Sequence, residues 1–214
     1  VACLEKLKEE GYTDVIAIAL SSGISGACSS YTVAGLMVDG INVHPFDSEV
    51  SCKPEGWYAI KAANLIKEGK NSNEIISALN EMKKVSKAYF MADDLSHLQR
   101  GGRLSGAQAL VGSLLQVKPL LHFEDKIIVP FQKIRTYKKV VSRMYELFDE
   151  YYRQHEGKHI TVCVLHVDAL DKAEEIKKYI EENYSNVTVD IDGISPVIST
   201  HLGIGAVAIG WTIL

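Results

Sequence analysis

Residues 16–30 read Ile16-Ala17-Ile18-Ala19-Leu20-Ser21-Ser22-Gly23-Ile24-Ser25-Gly26-Ala27-Cys28-Ser29-Ser30. The apolar run Val15–Leu20 ends abruptly in the loop Ser21–Gly26, after which apolar residues return at helical spacing. An unbroken apolar run marks a strand buried on both faces, as in a parallel sheet. A small polar loop between such a strand and a helix is where open α/β proteins place ligands. Glycines let backbone come close to a ligand. Serine hydroxyls and the free N–H groups of a helix start favour an anionic or carbonyl oxygen. The stretch therefore predicts an α/β chain whose loop holds the polar end of a small molecule. It leaves open whether Ser25 attacks that molecule or grips it.

The elements on either side extend the pattern. Leu4 and Leu7 have helical spacing, and Gly11 can stop that helix. No N-cap residue precedes it, so it reads as the middle of a helix with sequence expected upstream. A helix over 27–38 should turn Tyr31, Ala34 and Val38 inward. Ile41–Phe46 is a second strand. Pro54 suits a helix start, Asn71 and Glu74 suit a cap, and Lys87–Ala92 is a third strand of the same parallel sheet. Beyond it come a short helix (94–99), an apolar helix capped by Ser105, and a hairpin, Lys118–Phe123 with Lys126–Phe131. Thr136 then caps a long helix. Strands over 159–167, 187–191 and 206–211 and a helix over 171–183 complete the chain. These changes suggest two units, 1–92 with a parallel sheet and 93–214 with a different one, the last strand closing a ligand site between them.

The 214 residues carry a net charge of −4, which argues against an electrostatic nucleic-acid binder. No stretch is apolar enough for long enough to span a bilayer, and no signal peptide is visible. Cys3, Cys28, Cys52 and Cys163 lack metal-like spacing and read as reduced thiols of a cytoplasmic protein. Cys163 should be core, and Cys28 is the one placed beside the Ser25 loop. The seven histidines form no metal-spaced pair, so no metal is expected.

Gly23-Ile24-Ser25-Gly26-Ala27 approximates a G-x-S-x-G nucleophile elbow, and Ser25, then Asp168 or Asp192, then His201 follow hydrolase order. Against this, only one strand precedes the serine, and Ser21, Ser22 and Ser25 together look like a hydrogen-bonding cradle. His201, in a loop before the last strand, is a candidate ligand or oxyanion partner. Arg100-Gly101-Gly102-Arg103 lacks a Walker ending and suits bracing a turn, although paired arginines can also hold an anion. Arg135, after the hairpin, could meet an anionic group or a protein partner.

Several separated motifs then resemble one family. They are Ser21–Gly26, Asp47-Ser48, Asp94–Ser105, Leu115–Leu120, Lys133-Ile134-Arg135 and Thr200–Ala206. In this order the chain resembles the DegV family of fatty-acid-binding proteins, some of which serve as the FakB subunit of bacterial fatty acid kinase. The resemblance implies a two-domain α/β fold, with an incomplete parallel-sheet N-terminal domain and a second α/β domain with a mixed sheet. It implies one long-chain fatty acid in a buried tunnel, and no cofactor. The carboxylate would be held by Ser25 with Ser22 and Gly26, and by His201. The protein would catalyse nothing itself and would present the acid to a separate kinase for acyl-phosphate formation, with Arg135 helping. The family's upstream strand and its threonine-bearing turn have no counterpart here, and Ala27-Cys28 replace a more usual Thr-Tyr. A serine hydrolase built on Ser25 and His201 is the alternative.

Overall fold

The computed structural model describes residues 1–104 and 118–214; the apolar helix expected from Ser105 lies outside them. The opening stretch forms β1 (Asp14–Ala19), which pairs in parallel with β2 (Asn42–Asp47). Pro45 fits in β2 because an edge strand tolerates a missing N–H. Helices α1 (Ala2–Glu9) and α2 (Ala27–Leu36) lie against this pair, with Leu4, Val38 and Ile41 in a small core. Tyr31 does not turn inward as the spacing predicts; it is 38% exposed. The reason is the close approach of α2 to β2 at Gly35, where a Cβ would meet Val43 Cβ at 2.8 Å. So tight a contact leaves no depth for a tyrosine ring.

Two helices follow, α3 (Lys53–Lys67) and α4 (Ser72–Val85). The predicted cap of α4 is formed: Asn71 Oδ1 accepts from the Glu74 N–H at 3.0 Å, and the Glu74 carboxylate accepts from the Asn71 N–H at 3.0 Å. Asn71→Ala should therefore cost about 1 kcal/mol, read as a lower urea midpoint. An unchanged midpoint would show that the cap contributes nothing.

The next strand, β3 (Lys87–Met91), corrects an expectation. It does not join the parallel pair but lies antiparallel between two strands of a second sheet. That sheet also contains β4 (Leu120–Glu124), β5 (Ile127–Gln132), β6 (Ile160–His166), β7 (Val187–Gly193) and β8 (Val207–Thr212), in the order β5-β4-β3-β8-β6-β7. Among the described strands of this sheet, only β6 and β7 run parallel to each other. The switch occurs at Ser86, between α4 and β3. Its hydroxyl donates to the Met82 carbonyl at 2.9 Å and lies 2.8 Å from the Thr212 hydroxyl at the end of β8. This side-chain anchor, invisible to a rule based on adjacent strands, delivers the chain to the other sheet.

α3 lies between the sheets, touching β1 on one side and β6 and β8 on the other. Its Trp57 and Tyr58 are fully buried there. The far face of the mixed sheet is covered by α6 (Tyr137–Gln154) and α7 (Leu170–Asn183), over a core that includes Met144, Phe148, Ile176 and Trp211. Every residue of the central strand β8 is buried, as its apolar run on both faces requires. Two short helices, α5 (Ser96–Arg100) and α8 (Pro196–Leu202), pack on each other at the end of the sheet. None of the described helices is long and apolar enough to cross a membrane.

Candidate ligand-binding site

A cavity lies between the Ser25 loop, the start of α3, the mixed sheet and α8. The sheet makes room for it by composition. On the face turned to α3, Ala88 of β3 stands opposite Gly210 of β8, and Phe90 stands opposite Ala208. Small side chains at alternate positions of neighbouring strands leave volume that larger ones would fill. Ile24, Leu98, Phe123, Ile128, Ile198 and Leu202 close much of the rest with apolar surface. Among the described residues the polar exceptions are few: Ser25, Ser51, Cys52, Arg103 and His201.

The serine loop is positioned by the β4–β5 turn. Ser21, fully buried, donates its hydroxyl to the Lys126 carbonyl at 2.5 Å. Ser22 is exposed, and both its N–H and its hydroxyl donate to Asp47 at the end of β2. Lys126 reaches the same carboxylate at 3.1 Å. Burial pushes the Asp47 carboxyl up, but the hydrogen bonds from Ser22, the Glu49 N–H and Lys126 outweigh it and hold the group below the usual carboxylate range. A folded-state pKa below the unfolded one stabilises above the unfolded value of about 3.9 and stops stabilising as pH falls through the folded value. Asp47→Asn should thus lower the urea midpoint at pH 7, and the gap to wild type should shrink as the pH drops below about 4. A gap independent of pH would contradict this role.

Of the three loop serines, two are therefore occupied in building the loop. Only Ser25 lines the cavity. Its Oγ accepts from the Ala27 N–H at 3.2 Å, so the hydroxyl sits at the first turn of α2. Gly26, in the N-cap position, is exposed and makes no side-chain cap, and it does not line the cavity. His201 lines the cavity from the last turn of α8 rather than from a loop. The Ser195-Pro196 pair that opens α8 was the signal for this helix. The His201 ring lies where a side chain at Gly101 would have to go, so the Gly-Gly turn after α5 is a seat for the imidazole.

Arg103 is the functional candidate that sequence reasoning set aside as a brace. It is one: Nε donates to the Ile24 carbonyl at 3.2 Å, and Nη1 donates to the Gly101 carbonyl. These bonds join the serine loop to the His201 seat, and they also bring the guanidinium to the cavity wall. Cys52, not Cys28, is the thiol on that wall. It opens α3 with φ 61° and ψ −144°, and burial pushes its thiol up, away from reactivity. Cys163 is core, as expected. Arg135 is exposed on the turn before α6 and does not line the cavity. A hydrolase relay is not assembled: among the described residues no hydrogen bond joins Ser25, His201 and either Asp168 or Asp192, and Asp192 instead faces Lys53 at 3.7 Å.

A parallel strand pair and a mixed sheet that enclose an apolar cavity with a few polar groups define a two-sheet α/β protein of a recognisable class. The chain belongs to the DegV family, whose model, described as uncharacterised proteins of that family, matches residues 1–213. It is 53% identical over 212 residues to Protein DegV of Bacillus subtilis, covering 99% of this chain and 74% of that one. The crystal structure of DegV from Bacillus subtilis, called a fatty acid binding protein, matches with a TM-score of 0.92 at 51% identity, over 99% of this chain and 75% of the other. A fatty acid binding DegV family protein from Streptococcus agalactiae also matches with a TM-score of 0.92, at 30% identity, over 100% and 75% of the two chains.

Proposed function

We propose that this protein binds one long-chain fatty acid in this cavity, between a unit built on the parallel pair and a unit built on the mixed sheet. The observation that carries the reading is the placement of Ser25, Arg103 and His201 on a cavity otherwise enclosed mainly by apolar side chains. The Ser25 hydroxyl, an imidazole N–H and the guanidinium supply the donors a carboxylate needs. Each buried methylene of the alkyl chain contributes about 0.8 kcal/mol. Ser22 and Gly26 act from behind: Ser22 tethers the loop to Asp47, and Gly26 opens the helix next to Ser25.

The protein is a carrier in a cytoplasmic setting, and a separate kinase phosphorylates the carboxylate it presents. Arg135, exposed before α6, is offered as a contact to that partner. The relatives named as fatty acid binding proteins support the ligand class. Solvent extraction of the purified protein should release fatty acid at close to one molecule per chain. Recovery of none, with none taken up from added palmitate or oleate, would overturn the proposal. Addition of a fatty acid kinase and ATP should give acyl-phosphate, and Arg135→Ala should slow that step without lowering lipid content.

A further inference from the structure

The sheet floor of the fatty-acid cavity is built in rows. Residues directly opposite on neighbouring strands point to the same face, so Leu165, Ala208, Phe90 and Leu121 form one row turned to α3. The next row on that face holds Cys163, Gly210 and Ala88. The β3–β4 ladder stops at Tyr89–His122. Phe123 lies two residues beyond Leu121 on the same face and extends the second row, with Ile128 opposite it on β5.

The two rows differ in their distance from the polar end of the cavity. His201 sits in the last turn of α8, and the chain passes from there into the start of β8. The row of Ala208 is therefore the nearer one, and the row of Gly210 lies about 7 Å further along the strands. In that far row the side chains are uneven. Gly210 lies under α3, where a Cβ would meet Pro54 Cγ at 2.8 Å. Ala88 raises the floor by one methyl. Phe123 is the largest member, and its ring packs against Phe90 with centroids 5.9 Å apart.

Behind Ala88 and Phe123 the surroundings change. A second hollow begins there, and among the described residues these two are the only ones that both walls share. Its other lining includes Ser48, Glu49, Lys83, Lys87 and Glu124. An alkyl chain gains from burial against apolar neighbours and gains nothing by displacing the water of charged ones. The apolar path from His201 thus ends at the Phe123 ring.

We propose that Phe123, standing beside the low floor at Ala88, is the end-stop of the acyl site and sets the longest chain that binds with full affinity. The inference rests on the fatty-acid reading and adds to it the residue that measures chain length. The methyl end of the longest well-bound acid meets the Phe123 ring. Any further carbons must buckle or stay in water.

The test is competition. Delipidated protein is offered an equimolar mixture of laurate, myristate, palmitate, stearate, arachidate and behenate, and the bound acids are extracted and weighed against one another by mass spectrometry. Each step adds two methylenes, which raises affinity about tenfold while they remain buried. The wild-type profile should climb and then fall sharply. Phe123→Ala should move the peak at least one step longer, because the place of the ring is flanked by Phe90, Ile128 and Ala88. Ala88→Val, which suits a strand, should move it at least one step shorter. A merely structural role would lower the total bound and leave its composition unchanged. Wild-type composition in a folded Phe123→Ala protein would overturn the end-stop, and if that variant does not fold, wild-type composition in Ala88→Val would do the same. So would a wild-type profile that still climbs at behenate. Failure of the wild type to take up any of the six acids would instead overturn the fatty-acid reading itself.

Discussion

Ser25→Ala and His201→Ala should each weaken fatty-acid binding by about 10- to 100-fold, and the double variant should purify nearly free of lipid. A hydrogen bond to a charged group in an enclosed site is worth about 1.5–3 kcal/mol, and each 1.4 kcal/mol is about tenfold in affinity. Both side chains line the same cavity, where the surrounding wall is mainly apolar and water competes poorly. Gly101→Ala offers a cleaner test of the histidine. Gly101 has helical backbone angles, φ −72° and ψ −9°, that alanine adopts freely. Yet its new methyl would overlap the His201 ring, which must then swing away. Gly101→Ala should therefore reproduce the His201→Ala defect in a protein of near-normal stability. Lipid content matching wild type in all three single variants would remove these groups from the carboxylate site.

The second large effect concerns the contact that holds the serine loop. Gly23→Ala should destabilise the protein by about 1–3 kcal/mol and lower lipid occupancy as well. A Cβ at residue 23 would run into the Lys126 carbonyl and meet Ile127 Cγ2 at 2.9 Å. The turn has little freedom to retreat. Its Lys126 carbonyl takes the Ser21 hydroxyl, its Lys126 ammonium is held by Asp47, and Asp125 and Lys126 already have positive φ, 48° and 72°. Urea unfolding monitored by tryptophan fluorescence measures the first effect and solvent extraction the second. Wild-type values for both would mean that the turn and loop are not firmly joined.

Local elements were largely legible, because each rests on neighbours in sequence. The apolar run of β1, the Asn71–Glu74 cap, the Thr136 cap of α6 and the β4–β5 hairpin were all readable in the chain. Family membership was legible for another reason: its motifs are short, ordered and spread along the chain. The candidate site was legible in part. Ser25 and His201 stood out as polar residues beside glycines, and both line the cavity. Ser22 looked equivalent to Ser25, but the two differ in which way they face, and the partner that takes Ser22 lies 25 residues away. Arg103 looked like a brace because its second role depends on what it lies beside.

The chain by itself determined the helices, the strands and the small polar loop between β1 and α2, since periodicity, capping and turn chemistry act over a few residues. Only the tertiary structure decided that β3 belongs to the mixed sheet, that Ser21 and Ser22 build the loop while Ser25 faces the cavity, and that Cys52 rather than Cys28 lies on its wall. Those outcomes depend on contacts between residues far apart in sequence. One is the Ser86–Thr212 anchor, another the Ser21–Lys126 bond, and a third the paired small residues Ala88 and Gly210 that leave the volume open. No local pattern encodes which distant residue will be met, and that meeting is what turns a serine loop into one wall of a cavity.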